Sequence, residues 1–349
     1  MTPAETPIPL TGDGRPPFAA LAAEARFAMA VVSDAARLAR RLQGEIGAAS
    51  LIKSDRSPVT VADFSIQALV TCRLADAFPD DRLVAEETAS ALRRPEGREI
   101  VGHVTACLRP FLADVTPDRV CTWIDRSSVA PPGRYWVLDP IDGTRGFLRG
   151  DQFAIALALV EHHEVRLAVL GCPSLTAASR LECGGEGSVL VAVRGQGAWT
   201  MPGDGAGAVA RLHVSAAADP RTARVLRSVE DGHTNVAQMA EFVRAFGSEA
   251  EPVLVDSQVK YAMLASGAGD LVVRFLSPRQ PDYRERIWDQ APGSLIVSEA
   301  GGCLTDLDGR PLDFSTGSTL TRNRGVLATN GHLHAAALRA VRNSTHSAD

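Results

Sequence analysis

The sequence predicts a mixed α+β or α/β fold, and three patterns point to it. Alanine, leucine and arginine recur at helical spacing near the start of the chain. Between residues 135 and 201, short apolar runs rich in valine, leucine and isoleucine read as strands of a large, partly antiparallel sheet. From residue 224 onward, short apolar runs alternate with helical stretches, the pattern of α/β layering. A chain of 349 residues is long enough for one large or two medium domains.

In chain order, residues 1–17 read as a disordered N-terminus. Phe18 to Gly47 is helical, Lys53 to Pro58 a loop, and a second helix begins at Thr60 or Asp63 and runs to Phe78. A Pro79-Asp80-Asp81 turn leads into a short strand, Leu83 to Ala85, that ends at Glu86-Glu87. A helix is expected around 98–113. Tyr135 to Leu138, Phe153 to Glu161 and Glu164 to Gly171 are strands, with His162-His163 in a hairpin turn, and 188–194 and 197–201 continue the sheet. The adjacent histidines have no third ligand at a telling spacing, so a solvated turn is favoured over a metal site. The glycine-rich segment 203–208 marks an expected boundary between a first domain, 18–208, and a second, 209–340, that closes over it. The second contains strands at 224–229, 252–255 and 270–275, helices near 234–246, 257–266 and 288–300, and a last strand and helix over 325–342. Residues 341–349 are expected to be a tail.

Composition narrows the function. The apolar fraction is 45% and the charged fraction 22%, ordinary for a soluble globular protein. The net charge of −5 argues against a general nucleic-acid binder. The longest apolar run, Phe153 to Val160, is far too short to span a membrane, and Met1 to Pro9 lacks the basic-then-apolar pattern of a signal peptide. Six scattered cysteines form no CxxC pair, so a reduced, cytoplasmic protein is expected. Only two of the 36 basic residues are lysines, Lys53 and Lys260.

The most informative stretch is Trp136-Val-Leu-Asp-Pro-Ile-Asp-Gly-Thr144. An apolar strand runs into Asp139 and Asp142, with Pro140 stiffening the link and Gly143-Thr144 following. Two carboxylates aimed from a strand mouth suit a hard divalent cation such as Mg²⁺. Three further acidic residues stand at element ends: Asp63, Glu86 and Asp289. Singly, Asp63 could be a first-turn helix carboxylate, Glu86 a solvated strand end and Asp289 a cap. Jointly, like charges gathered at one place call for a cation. Mg²⁺ ions about 3.5–4 Å apart would suit hydrolysis of a phosphate ester. Thr144 and the backbone N–H groups after Gly143 would receive the phosphoryl oxygens at a helix N-terminus. There is no GxxxxGK[ST] loop, no HExxH and no GxSxG, which speaks against nucleotide-loop hydrolases, zinc peptidases and serine hydrolases.

These residues resemble a known family. WVLDPIDGT at 136–144, Ala85-Glu86-Glu87-Thr88, Trp288-Asp289-Gln290-Ala291-Pro292-Gly293 and Glu299-Ala300-Gly301-Gly302 are similar to signatures of the inositol-monophosphatase superfamily, Mg²⁺-dependent, lithium-sensitive phosphomonoesterases with a layered αβαβα sandwich. Lys53 to Asp63, Gly143 to Leu159, Ser228 to His233, Asp256 to Tyr261 and Tyr283 to Asp289 resemble its 3′(2′),5′-bisphosphate nucleotidases, which remove the 3′-phosphate of adenosine 3′,5′-bisphosphate. The resemblance spans roughly 25–335.

The resemblance implies two to three Mg²⁺ ions. One would use Glu86, Asp139 and the Ile141 carbonyl; a second Asp139, Asp142 and Asp289; a third would be held more loosely near Glu86. Asp63 and Thr144 would orient and deprotonate the attacking water. Gly143 and Thr144 would bind the phosphate under attack, and His233, Ser257, Lys260, Arg274 and Arg284 the nucleotide and its 5′-phosphate. The partner is then a small bisphosphorylated nucleotide, with no nucleic acid and no membrane, on a monomer or a dimer. An inositol phosphate or fructose 1,6-bisphosphate is the alternative substrate. Pro292 departs from the family pattern, and 90–134 matches little of it; such segments often carry lids or specificity.

Overall fold

The computed structural model describes residues 18–49, 57–127, 130, 132–204, 207–229, 235–277 and 280–346. The expected disordered N-terminus, Lys53 and His233 lie outside the described residues. The first half comprises α1 (Ala22–Ala49), α2 (Ser57–Ala77), β1 (Arg82–Ala85), α3 (Arg98–Leu108), α4 (Pro117–Asp125), β2 (Arg134–Asp142), α5 (Thr144–Arg149), β3 (Ala154–Glu161) and β4 (Glu164–Cys172). A small hairpin, β5 (Leu175–Thr176) and β6 (Arg180–Leu181), precedes β7 (Ser188–Val193), β8 (Ala198–Pro202) and β9 (Ala210–Arg211). The second half comprises β10 (Val225–Arg227), α6 (Val236–Phe246), β11 (Val253–Leu254), α7 (Val259–Ala265), β12 (Leu271–Arg274), α8 (Ile287–Glu299), β13 (Cys303–Thr305), β14 (Val326–Thr329) and α9 (His334–His346).

Two sheets order the chain: a seven-stranded one, β1-β2-β3-β4-β7-β8-β9, and a five-stranded one, β11-β10-β12-β14-β13. Strands of the larger sheet are apolar on both faces because both faces are covered. Trp136, Leu138, Ile155, Leu157 and Leu159 face α1 to α4. Tyr135, Val137 and the small residues Ala154, Ala156 and Ala158 face α7 and α8. That middle layer meets Leu226, Val272 and Ala328 of the second sheet. The second sheet's far face, Val225, Leu271, Val273 and Leu327, packs on Phe242 of α6 and Ala337 of α9. The layers therefore read αβαβα.

Several expected boundaries move. Helix α2 starts at Ser57, because proline is tolerated in a first helical turn; Asp63 therefore lies inside the helix, not at its start. The helix expected over 98–113 stops at Leu108, before Pro110, and a new one begins at Pro117 with Thr116 Oγ1 accepting from Arg119 N at 3.3 Å. Asp139 and Asp142 are still within β2, whose pairing with β3 shifts register between them. The proline fits at that irregularity, where the strand has also run past β1, whose pairing ends at Ala85–Leu138. The larger sheet continues past residue 208 to β9, and α8 of the second half packs on its inner face, so the two halves share the middle layer. The last helix continues through His346, past the expected start of the tail.

The start of β12, the central strand of the second sheet, is tied to the start of β10 by buried Asp270, which accepts from Arg224 N at 2.6 Å, Arg224 Nε at 3.0 Å and Arg224 Nη2 at 3.0 Å, and from Ser215 Oγ. Asp270→Ala would leave the Arg224 backbone N–H and the Ser215 hydroxyl without their acceptor, while the half-exposed Arg224 guanidinium keeps Gly267 O and water. The expected loss is about 1–3 kcal/mol of unfolding free energy, measured by urea denaturation.

Candidate active site

The parallel register of β1 with β2 ends at Ala85 and Leu138, so the next residues are Glu86, just past the end of β1, and Asp139, where β2 has run beyond β1. Asp142 follows three residues later. Asp63 approaches from α2 and Asp289 from the first turn of α8. All five line one cleft of about 660 Å³. Ile141, Gly143, Thr144, Ser257, Lys260 and Arg274 line it too. Arg284 does not; its Nη1 donates to the Tyr283 carbonyl at 2.9 Å instead. No described residue of 90–134 lines the cleft: α3 and α4 pack on α2 in the outer layer. The phosphate loop itself is tight. Gly143 has φ 89°, and a Cβ there would lie 2.8 Å from Ser257 Cβ, so only glycine lets the two turns touch. Helix α5 is six residues long, so the backbone N–H groups of this turn matter more than any macrodipole.

The acidic wall is electrostatically strained. Burial is the main reason that Asp139 is pushed well above the usual carboxylate range, with Asp142, Glu86, Asp289 and Asp63 adding repulsion. Burial, then Glu87 and Glu86, push Asp63 up likewise. Burial raises Asp289 to about 8, against the pull of Arg274. Glu86 is raised by desolvation, Glu87 and Asp142, yet its residue is open to water at the cleft mouth, so solvent screens it more than it screens Asp139. Asp142 is also raised by burial, with Lys260 and a 2.6 Å hydrogen bond from Gln258 N working against the shift. Asp139 Oδ1 is buried with no hydrogen-bond partner. An unpartnered buried carboxylate oxygen amid like charges is what a divalent cation relieves, and an all-oxygen donor set suits Mg²⁺. Among the described residues no trio of His, Cys, Asp or Glu is gathered closely enough to hold an ion as it stands. The carboxylates thus share a cleft without forming a closed ligand cage.

Two cations, Lys260 and Arg274, line the same cleft. Lys260 Nζ donates to Ser228 Oγ at 3.1 Å, and burial lowers its pKa to about 8. Burial alone would also lower Arg274, but its 3.0 Å ion pair with Glu285 keeps it charged, and its guanidinium lies 5.5 Å from the Tyr283 ring centre. Leu226, Met239, Val272 and Val273 supply an apolar end to the cleft.

A model of the inositol monophosphatase family matches residues 17–346. The chain belongs to that family. Enzymes of the inositol monophosphatase family are generally Mg²⁺-dependent. A 3′(2′),5′-bisphosphate nucleotidase of Oryza sativa is 39% identical over 342 residues, covering 93% of this chain and 94% of the relative. One of Schizosaccharomyces pombe is 36% identical over 326 residues, covering 88% and 91%. Among solved structures, an IMPase of Thermotoga maritima has a TM-score of 0.61 at 21% identity, covering 93% of this chain and 98% of its own, which shows the shared fold.

Sequence reasoning missed five contributors. Glu87, read only as a solvated strand end, lines the cleft, and its backbone is pinned by Gln67, whose Nε2 donates to Glu87 O at 2.7 Å while Oε1 accepts from Glu87 N at 3.0 Å. Glu285 braces Arg274, and Gln290 joins that brace by donating from Nε2 to Glu285 Oε2 at 2.8 Å. Gln258 was passed over beside Lys260. Polar residues inside otherwise apolar helices, Gln67 and Gln290 among them, were the available signal.

Proposed function

We propose that this chain is a 3′(2′),5′-bisphosphate nucleotidase: it hydrolyses the 3′-phosphate of adenosine 3′,5′-bisphosphate to release inorganic phosphate and AMP. The observation that carries the reading is the pairing, within one cleft, of a repelling carboxylate wall with the cations Lys260 and Arg274. A substrate with two phosphates answers both. The names of the curated relatives support the same substrate.

Glu86, Asp139, Asp142, Asp289 and the Ile141 carbonyl would hold two to three Mg²⁺ ions. Bound there, Mg²⁺ supplies a lowered water pKa and charge stabilisation for the phosphoryl and leaving oxygens. Asp63 and Thr144 orient the attacking water and take its proton. Gly143 and Thr144 hold the phosphoryl group in line. Lys260, Ser257 and Arg274 hold the 5′-phosphate and ribose, with His233 assigned to the same task. Arg284, which is outside the cleft lining, is left out of the substrate contacts. No covalent enzyme intermediate is needed, so inversion at phosphorus follows.

All cleft elements come from one chain, so a monomer suffices. No described helix is long and apolar enough to cross a membrane. The six free cysteines fit a reducing compartment such as the cytoplasm. The test is a panel of initial rates at fixed Mg²⁺. Phosphate release should be fastest from adenosine 3′,5′-bisphosphate, by roughly tenfold or more per lost charge-assisted contact, over inositol 1-phosphate and fructose 1,6-bisphosphate. A faster rate on either of those would move the assignment to the alternative.

A further inference from the structure

We propose that Gln258 is a positioning residue that fixes Asp142 and Asp289, carried on different layers, in one frame for metal binding; this rests on the function proposed above. The observation begins with Pro292, which lies inside α8 three residues beyond Asp289. Proline has no N–H, so the carbonyl of Trp288, four residues earlier, loses its helical donor. Gln258 replaces it: Nε2 donates to Trp288 O at 3.0 Å. The same amide's Oε1 accepts from Gly293 N at 3.1 Å. One side chain thus satisfies the helix on both sides of its interruption, immediately next to Asp289.

The backbone of Gln258 acts in the other direction. Its N–H donates to Asp142 Oδ2 at 2.6 Å. The residue is 2% exposed and cannot trade these partners for water. Ser257 before it takes φ 64°, a left-handed conformation uncommon outside glycine, and it packs against the Gly143 turn. Tyr261, one helical turn on, closes the unit from the other side: its ring would lie 2.0 Å from a Cβ on Gly293, and its Oη donates to Gln290 Oε1 at 2.6 Å. An alanine at 292 would let α8 close its own ladder. With proline there, the start of α8, and hence Asp289, takes its orientation from the turn that also holds Asp142. A buried group that orients ligating carboxylates governs affinity as well as turnover.

The experiment compares wild type, Gln258→Met, Pro292→Ala and the double variant. Mg²⁺ binding is measured by calorimetry without substrate, well below each protein's melting temperature, and kcat is measured separately. Gln258→Met should weaken Mg²⁺ binding by about 10–100-fold and lower kcat to match. Pro292→Ala alone should stay within about threefold of wild type, and in that background the Gln258→Met loss should shrink to a few-fold, because Trp288 O regains a helical donor. Gln258→Asn, whose shorter amide cannot reach both sides, should repeat the loss and serves if the methionine variant does not fold. Mg²⁺ affinity within threefold of wild type in folded Gln258→Met, with only the melting temperature reduced, overturns the proposal. So does a loss of equal size in both backgrounds. A wild type that neither binds Mg²⁺ nor releases phosphate points instead to failure of the proposed function.

Discussion

Asp142→Asn is expected to remove nearly all phosphate release while leaving the fold intact. The substitution keeps an oxygen where Gln258 N donates at 2.6 Å, so the turn retains its hydrogen bond. It removes one negative charge from a wall in which Asp142 repels Asp139, Glu86 and Asp289. The metal-free variant should melt within a few degrees of wild type, because relief of that repulsion is offset by the charge lost beside buried Lys260. Catalysis moves the other way. A neutral amide is a poor ligand for Mg²⁺ and cannot balance its charge, so kcat/KM should fall by about a thousandfold, or ~4 kcal/mol of transition-state stabilisation. Melting curves in chelator and initial rates with Mg²⁺ check both halves. Activity near that of wild type would remove Asp142 from the ligand set.

Lys260→Met carries the second large effect. Methionine keeps the apolar stem packed and deletes only the ammonium that donates to Ser228 Oγ at 3.1 Å. On a substrate bearing a 5′-phosphate, the lost charge-assisted contact is worth about 1.5–3 kcal/mol, so kcat/KM should drop roughly 10–150-fold, mostly through KM. On 3′-AMP, which lacks that phosphate, the change should be below about threefold. Equal losses on both substrates would place Lys260 at the reacting phosphate instead.

Much of this cleft was legible in the sequence because Glu86, Asp139, Asp142 and Asp289 stand close to the ends of recognisable elements, whereas Asp63 proved to lie inside α2. The apolar run before Asp139 and the short strand before Glu86 gave their direction, and parallel pairing of those strands then places the two residues just beyond the last pair, Ala85 and Leu138. A mixed α and β layering was legible in the change to alternating strands and helices after residue 224, whereas the αβαβα order was implied only by the family resemblance. Boundaries were less legible wherever proline has two meanings. Pro58 read as a loop residue but sits in the first turn of α2, whereas the expected helix over 98–113 overran Pro110, before which the observed helix stops at Leu108. Pro140 read as a stiff link beyond a strand ending at Leu138, but it occupies an irregularity inside β2. The bracing residues were hidden for another reason. Gln67 meets Glu87 twenty residues away, and Gln258 meets Trp288 thirty residues away. No local period announces such contacts; they exist only once the layers are stacked.

The most direct measurement follows adenosine 3′,5′-bisphosphate by ³¹P NMR with the purified chain, first in chelator and then with Mg²⁺ restored. The expected result is no change in chelator, then equal growth of inorganic phosphate and of AMP retaining its 5′-phosphate. Phosphate release that proceeds unchanged in chelator, or a mixture with Mg²⁺ that yields no AMP, would contradict the assignment of the acidic cleft.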